Sequence, residues 1–169
     1  SSTATQLALG DALAIVVMKY KKFGKLDFKK FHPAGNLGLQ LKTVEDVMSV
    51  GKKIPFVNEN SKMKQALKVL ENKKLGVLIV RNKYKKTTGI ITDGQIRRFS
   101  QKNVELRSLK VRDIMTKNPI GIDKNQLAAK ALSVMNGNKI TSLCVYEKSN
   151  KSKTIGLLHI HNILKSDVT

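Results

Sequence analysis

The chain has 169 residues, 41% of them hydrophobic, with a formal charge of +20 and a single cysteine. That size suits one compact domain or a small pair sharing a core, while no apolar run reaches the ~20 residues of a membrane span, no export leader is visible, and one cysteine excludes an internal disulfide; a cytoplasmic protein with no membrane partner is the expectation. The charge comes almost wholly from scattered lysines, and aromatics are 5% with no tryptophan, which argues against nucleic acid, since base readout uses arginine forks and stacking rings; a lysine-biased, solvated surface accounts for it, the alternative being a field that gathers an anionic small molecule or acidic partner.

The segment from Ser1 to about Phe23 reads as one helix. Ser1, Ser2 and Thr3 offer capping oxygens, and Leu7, Leu9, Leu13, Ile15, Val16, Val17 and Met18 leave little polar face. A helix apolar on most sides needs burial on most sides, so this one is expected to dock on a partner. Gly24 is a plausible stop. The stretch Phe31 to Gly38, FHPAGNLG, then combines a proline and two glycines, which exclude regular structure. His32 at its head is a candidate for acid–base work, or else a turn histidine bonding backbone.

From Val44 onward the chain repeats itself. VEDVM ends at Met48 and VRDIM at Met115; GIITDGQI begins at Gly89 and GLLHIHNI at Gly156. Both pairs lie 67 residues apart, while the middle of the unit runs at 65, Ala131-Leu132 against Ala66-Leu67, until a longer polar loop restores 67; two unrelated motifs sharing one offset indicate an internal duplication. In the first copy we expect a short helical turn at Val44, an extended segment at Ile54–Val57, and a helix over Lys62–Glu71 capped by Ser61. A strand over Leu75–Val80, a polar hairpin turn over Asn82–Lys86, a second strand over Thr88–Ile91 and a closing helix from Asp93 follow. The second copy repeats the order, with a helix around Leu127, Ala131, Leu132 and Met135, strands over Thr141–Tyr146 and Thr154–Leu158, and a closing helix over His159–Lys165. Cys144 sits in an apolar run and reads as a small buried hydrophobe.

Each unit alone has too little core to stand well. Two units closing face to face about a pseudo-twofold axis solve that, and leave two equivalent clefts at the strand ends. Helix N-termini there are expected to present free N–H groups to phosphate or carboxylate. Thr92 and Gln95 fit a helix capping box. His159 and His161, two residues apart, do not share a helix face and could equally be packed side chains. No metal cluster is visible.

The repeated order of DVM, extended segment, helix, strand and GIITDG resembles a tandem pair of cystathionine-β-synthase-type (CBS) domains. The segment SSTATQLALGDALAIVVM with FHPAGNLG resembles the end of the sugar isomerase domain of arabinose 5-phosphate isomerases. The resemblance implies an α/β (α+β) fold: residues 1–40 as the remnant of a sugar isomerase domain, 44–103 as a first CBS domain and 111–169 as a second. It implies the interconversion of ribulose 5-phosphate and arabinose 5-phosphate, on the route to the lipopolysaccharide sugar Kdo, and carries an active-site role onto His32. The family's remaining catalytic groups would lie before Ser1, so this chain alone is expected to be inactive. No resident cofactor is expected; the implied effector is CMP-Kdo or an adenine nucleotide, within a homo-oligomer built as a dimer of CBS pairs or a tetramer of the full enzyme. Family members that hold ribose use a hydroxyl and a carboxylate where this chain has Thr92 and Gln95 in the first copy and His159 and Asn162 in the second; the resemblance thus makes Thr92, Asp93, Gln95, Arg97, Arg98, His159, His161 and Asn162 the candidate ligand-binding residues, with an amide that accepts less well from ribose hydroxyls. The alternative is a dimerisation module with no ligand.

Overall fold

A computed structural model describes residues 2–24, 27, 41–101 and 105–166. The chain divides into two compact units, Ser1–Leu41 and Lys42–Thr169. The described residues of the first include helix α1, Ser2–Tyr20. Its apolar residues run round the whole circumference, and Leu7, Leu13 and Val16 are exposed, whereas a helix without a polar stripe is ordinarily buried. His32 and the loop around it lie outside the described residues. Among those residues no helix is long and apolar enough to cross a membrane.

The second unit contains the repeat. Its first copy gives α2 (Val44–Val47), β1 (Ser49–Val50), β2 (Phe56–Asn58), α3 (Met63–Lys73), β3 (Val77–Arg81), β4 (Thr87–Thr92) and α4 (Asp93–Ser100). The second gives α5 (Val111–Ile114), β5 (Thr116–Lys117), β6 (Gly121–Asp123), α6 (Ala128–Asn138), β7 (Ser142–Tyr146), β8 (Gly156–His159) and α7 (Ile160–Leu164). The expected order of elements therefore holds in both copies. One detail differs: α3 is led by Lys62 in extended conformation, and Ser61 does not cap it. The Ser61 carbonyl instead accepts from Val111 N at 2.9 Å.

The strands form two four-stranded sheets in the orders β2-β3-β4-β5 and β1-β8-β7-β6. The outer members are exchanged. β1 of the first copy pairs with β8 of the second, and β5 of the second copy pairs with β4 of the first. The opening helices follow their strands. Val44 of α2 lies in the core cluster of the second copy, with Leu143, Leu158 and Ile163. Val111 and Ile114 of α5 lie in that of the first, with Leu78, Val80 and Ile91. Backbone bonds seal the exchange at equivalent positions: Val44 N donates to Gln126 O at 2.8 Å, and Val111 N to Ser61 O at 2.9 Å. At the surface Lys124 Nζ bridges Glu45 of α2 and Glu147, both at 3.1 Å, a pair of contacts that adds little by itself in water.

A period-two pattern explains why the two sheets pack on each other. Successive strand residues face opposite sides, and β3 is apolar at both parities: Leu78 and Val80 face its own helices, while Val77 and Ile79 face the seam. In β7 and β8, Leu143, Val145 and Leu158 turn to the helices, and Cys144 and Leu157 to the seam. The seam is thus built from matching positions, Ile79 with Cys144 and Ile90 with Leu157. Thr87 and Thr154, also equivalent, meet each other: the Thr87 hydroxyl donates to Thr154 Oγ1 at 2.7 Å and accepts from Thr154 N at 3.1 Å. A residue touching its own repeat mate marks a pseudo-twofold axis. Burial pushes the Cys144 thiol up to about 11, against a smaller lowering by the Thr154 hydroxyl, so Cys144 stays protonated and inert at neutral pH.

Candidate functional site

Two clefts open along the seam, where strand ends meet the first turns of α4 and α7. The first has a volume of about 510 Å³. Its apolar wall is Leu75, Ile90, Ile120 and Ile140, and its polar groups include Thr92, Asp93, Gln95, Arg98, Lys139, Thr141 and Ser142. The second, about 420 Å³, is lined by Lys74, Leu75, Gly76, His159, His161, Asn162 and Lys165. It is the repeat mate of the first: Lys74 corresponds to Lys139, Lys165 to Arg98, and Asn162 to Gln95.

Four of the predicted residues, Thr92, Asp93, Gln95 and Arg98, come together in the first cleft, joined by His159; His159, His161 and Asn162 line the second. Arg97, next to Arg98 on α4, lines neither cleft. Gln95 is already engaged. Its Oε1 accepts from Thr92 N at 2.9 Å and its Nε2 donates to Thr116 Oγ1 at 2.6 Å. It therefore caps α4 and ties β5 to it, leaving little capacity for a ligand. Asn162 likewise accepts from His159 N, at 3.1 Å. The expectation of free N–H groups at the helix ends is corrected accordingly: Asp93 N donates to Gly76 O at 3.0 Å, Ile160 N to Thr141 O at 2.8 Å, and His161 N to His159 Nδ1 at 3.2 Å.

The histidines also differ from expectation. Because His159 is the N-cap of α7 rather than a residue within it, its ring reaches over the first turn and stacks on His161, with centroids 4.9 Å apart. His159 Nδ1 accepts from His161 N at 3.2 Å, so that nitrogen carries no proton. Partial burial, with a smaller contribution from His161, holds His159 below the usual imidazole range. The unfolded chain takes up the His159 proton more readily than the folded one. Its stabilisation is complete above the unfolded value of about 6.5 and is lost as pH falls through that value toward the folded one. A His159→Asn variant, which keeps a capping acceptor, is expected to show a shallower fall of melting temperature between about pH 7 and pH 5; equal slopes would dismiss this role.

Sequence reasoning missed the far wall of the first cleft: Leu75–Gly76, Thr116, Asn118–Ile120 and Lys139–Ser142. Leu75–Gly76 and Ile140–Thr141 stand at equivalent positions just before β3 and β7, so the repeat register could have found them. Gly76 is fixed by two demands. Its φ is +64°, and a Cβ would meet Asp93 Oδ2 at 2.8 Å, so a side chain here would strain the backbone and crowd the Asp93 carboxylate. Among the described residues no group of three His, Cys, Asp or Glu side chains could hold a metal ion.

The family model for the CBS domain matches residues 44–102 and 111–168. Arabinose 5-phosphate isomerase KdsD of Escherichia coli (strain K12) is 36% identical over 169 residues, 99% of this chain and 51% of that protein. The same enzyme of Yersinia pestis is 34% identical with equal coverage. The chain thus spans about half the length of the curated relatives it matches. Among solved structures, CBSX2 in complex with AMP aligns with a TM-score of 0.60 and 22% identity, over 73% of this chain and 94% of that one, a likeness of fold.

Proposed function

The chain belongs to the CBS-domain family, in which it forms a tandem pair, and from that premise we propose that it is the regulatory part of an arabinose 5-phosphate isomerase that senses an anionic nucleotide or sugar nucleotide. The observation that carries the reading is the lining of the first cleft. An apolar wall of Ile90, Ile120 and Ile140 faces hydroxyls and the cations Arg98 and Lys139 across about 510 Å³. Concave sites with an apolar wall and a few convergent polar groups suit small organic ligands; here the wall suits a base and the cations suit phosphate. CBSX2, of the same fold, is described in complex with AMP, and the length of similarity to the isomerases supplies the partner enzyme. Occupation of a cleft shared by both repeats would tighten the seam, and an attached isomerase would read that change as altered activity. A feedback effector such as CMP-Kdo, in a homo-oligomeric enzyme making arabinose 5-phosphate for Kdo, fits this chemistry.

Thermal melts and calorimetry of the chain with AMP, ATP and CMP-Kdo test the proposal. At least one is expected to raise the melting temperature with saturation, by mass action on the folded state, and Arg98→Ala is expected to weaken that ligand about tenfold, the scale of a lost charge-assisted phosphate contact. Silence from all three would remove the sensor role. The engaged amides of Gln95 and Asn162 favour a second reading, a dimerisation module with empty clefts. It predicts stability that rises with protein concentration and ignores ligand.

A further inference from the structure

The two clefts are neighbours, and Leu75, Gly76 and His159 line both. Their chemistry is unequal in a directed way. Where the first cleft has Thr92 and Gly94, the second has the stacked imidazoles of His159 and His161, which take the space and remove the hydroxyl a second nucleoside would use. Where the first has Asp93, the equivalent position is Ile160. The second cleft therefore keeps two cations, Lys74 and Lys165, and among the described residues no carboxylate lines it. It is a poor seat for a base and a good one for an anion.

Resting on the nucleotide reading above, we propose that the two clefts form one trough for a single elongated ligand: a nucleotide whose base and first phosphate lie in the first cleft and whose far end carries a further anionic group, carboxylate or phosphate, into the second. His159 is then the divider that the ligand crosses, and Leu75–Gly76 the floor. The requirement for a second anionic group sets the specificity. A simple nucleoside monophosphate fills half the trough, and a second copy of it has no seat beyond the imidazole pair.

Calorimetry of the whole chain at low salt with CMP, CDP and CMP-N-acetylneuraminate tests this. One molecule per chain is expected, with the ligands bearing a second anionic group bound roughly tenfold tighter than CMP, as two exposed lysine contacts allow, and the difference shrinking with added salt. Tighter binding of CDP and of the sugar acid alike assigns the second cleft to any anion; tight binding of the sugar acid alone places the group at carboxylate reach. The variant Lys74→Asn/Lys165→Ala is expected to close the gap between CMP and the longer ligands. Both lysines are exposed, and asparagine suits the left-handed backbone of Lys74, φ +54°, so an unchanged melt of the unliganded variant controls for folding. Two molecules per chain, equal affinities for all three compounds, or a gap that survives the double substitution would each overturn the trough. Binding of CMP without a gap overturns the trough and leaves the sensor reading standing; no heat from any of the three also overturns the trough, while the sensor reading falls only if AMP, ATP and CMP-Kdo are silent as well.

Discussion

Replacing Leu157 by alanine is expected to lower the unfolding free energy by about 2–5 kcal/mol, a large share of the ~5–15 kcal/mol that holds a domain together. Leu157 is fully buried and lies in the seam cluster with Ile54, Val77, Ile79 and Cys144. Its loss opens a cavity between the sheets rather than beneath one of them. Because α2 with β1 and α5 with β5 are exchanged across that seam, neither repeat can unfold and leave the other whole. Chemical denaturation followed by circular dichroism should therefore show one transition, shifted to lower denaturant with the slope unchanged. Two separated transitions would contradict the exchange as the source of cooperativity. Ligand affinity should fall as well, since the same seam forms the walls of both clefts.

The second large effect concerns the two motif glycines, which look equivalent in sequence and are not equivalent in space. A Cβ on Gly89 would lie 2.6 Å from Met115 Sδ, 2.8 Å from its Cγ, and 2.9 Å from the backbone oxygen of Thr116. A Cβ on Gly156 would collide only with the side chain of Met48. Overpacking of this kind costs about 1–3 kcal/mol, and it differs in what can relax. Methionine is flexible and can be shortened; a backbone carbonyl in a paired strand cannot move without breaking the β4–β5 register. Gly156→Ala is thus expected to be largely rescued by Met48→Ala, and Gly89→Ala to keep most of its penalty in the presence of Met115→Ala. The measurement is a double-mutant cycle by denaturant unfolding at each site. Equal rescue at the two sites would show that Thr116 yields, and with it the edge of the first cleft that Thr116 lines.

These two outcomes separate what each level of description supplies. The repeat, its offset of 67 residues and the order of elements were legible in the chain, because apolar periodicity and turn residues act locally and a duplication writes them twice. The candidate residues on GIITDGQI and GLLHIHNI were legible for the same reason, and most of them do line the clefts. The exchange of opening strands was not, since a two-residue strand carries no pattern that names its partner. Nor was the engagement of Gln95 with Thr116, 21 residues away, or the stacking of His159 on His161, which depends on where α7 begins. The sequence by itself determined that there are two copies of one unit with cations and amides beside each. Only the tertiary structure decided which amides are already satisfied and which cations face a common hollow, because hydrogen-bond capacity and local charge depend on distances that close only when the two sheets meet.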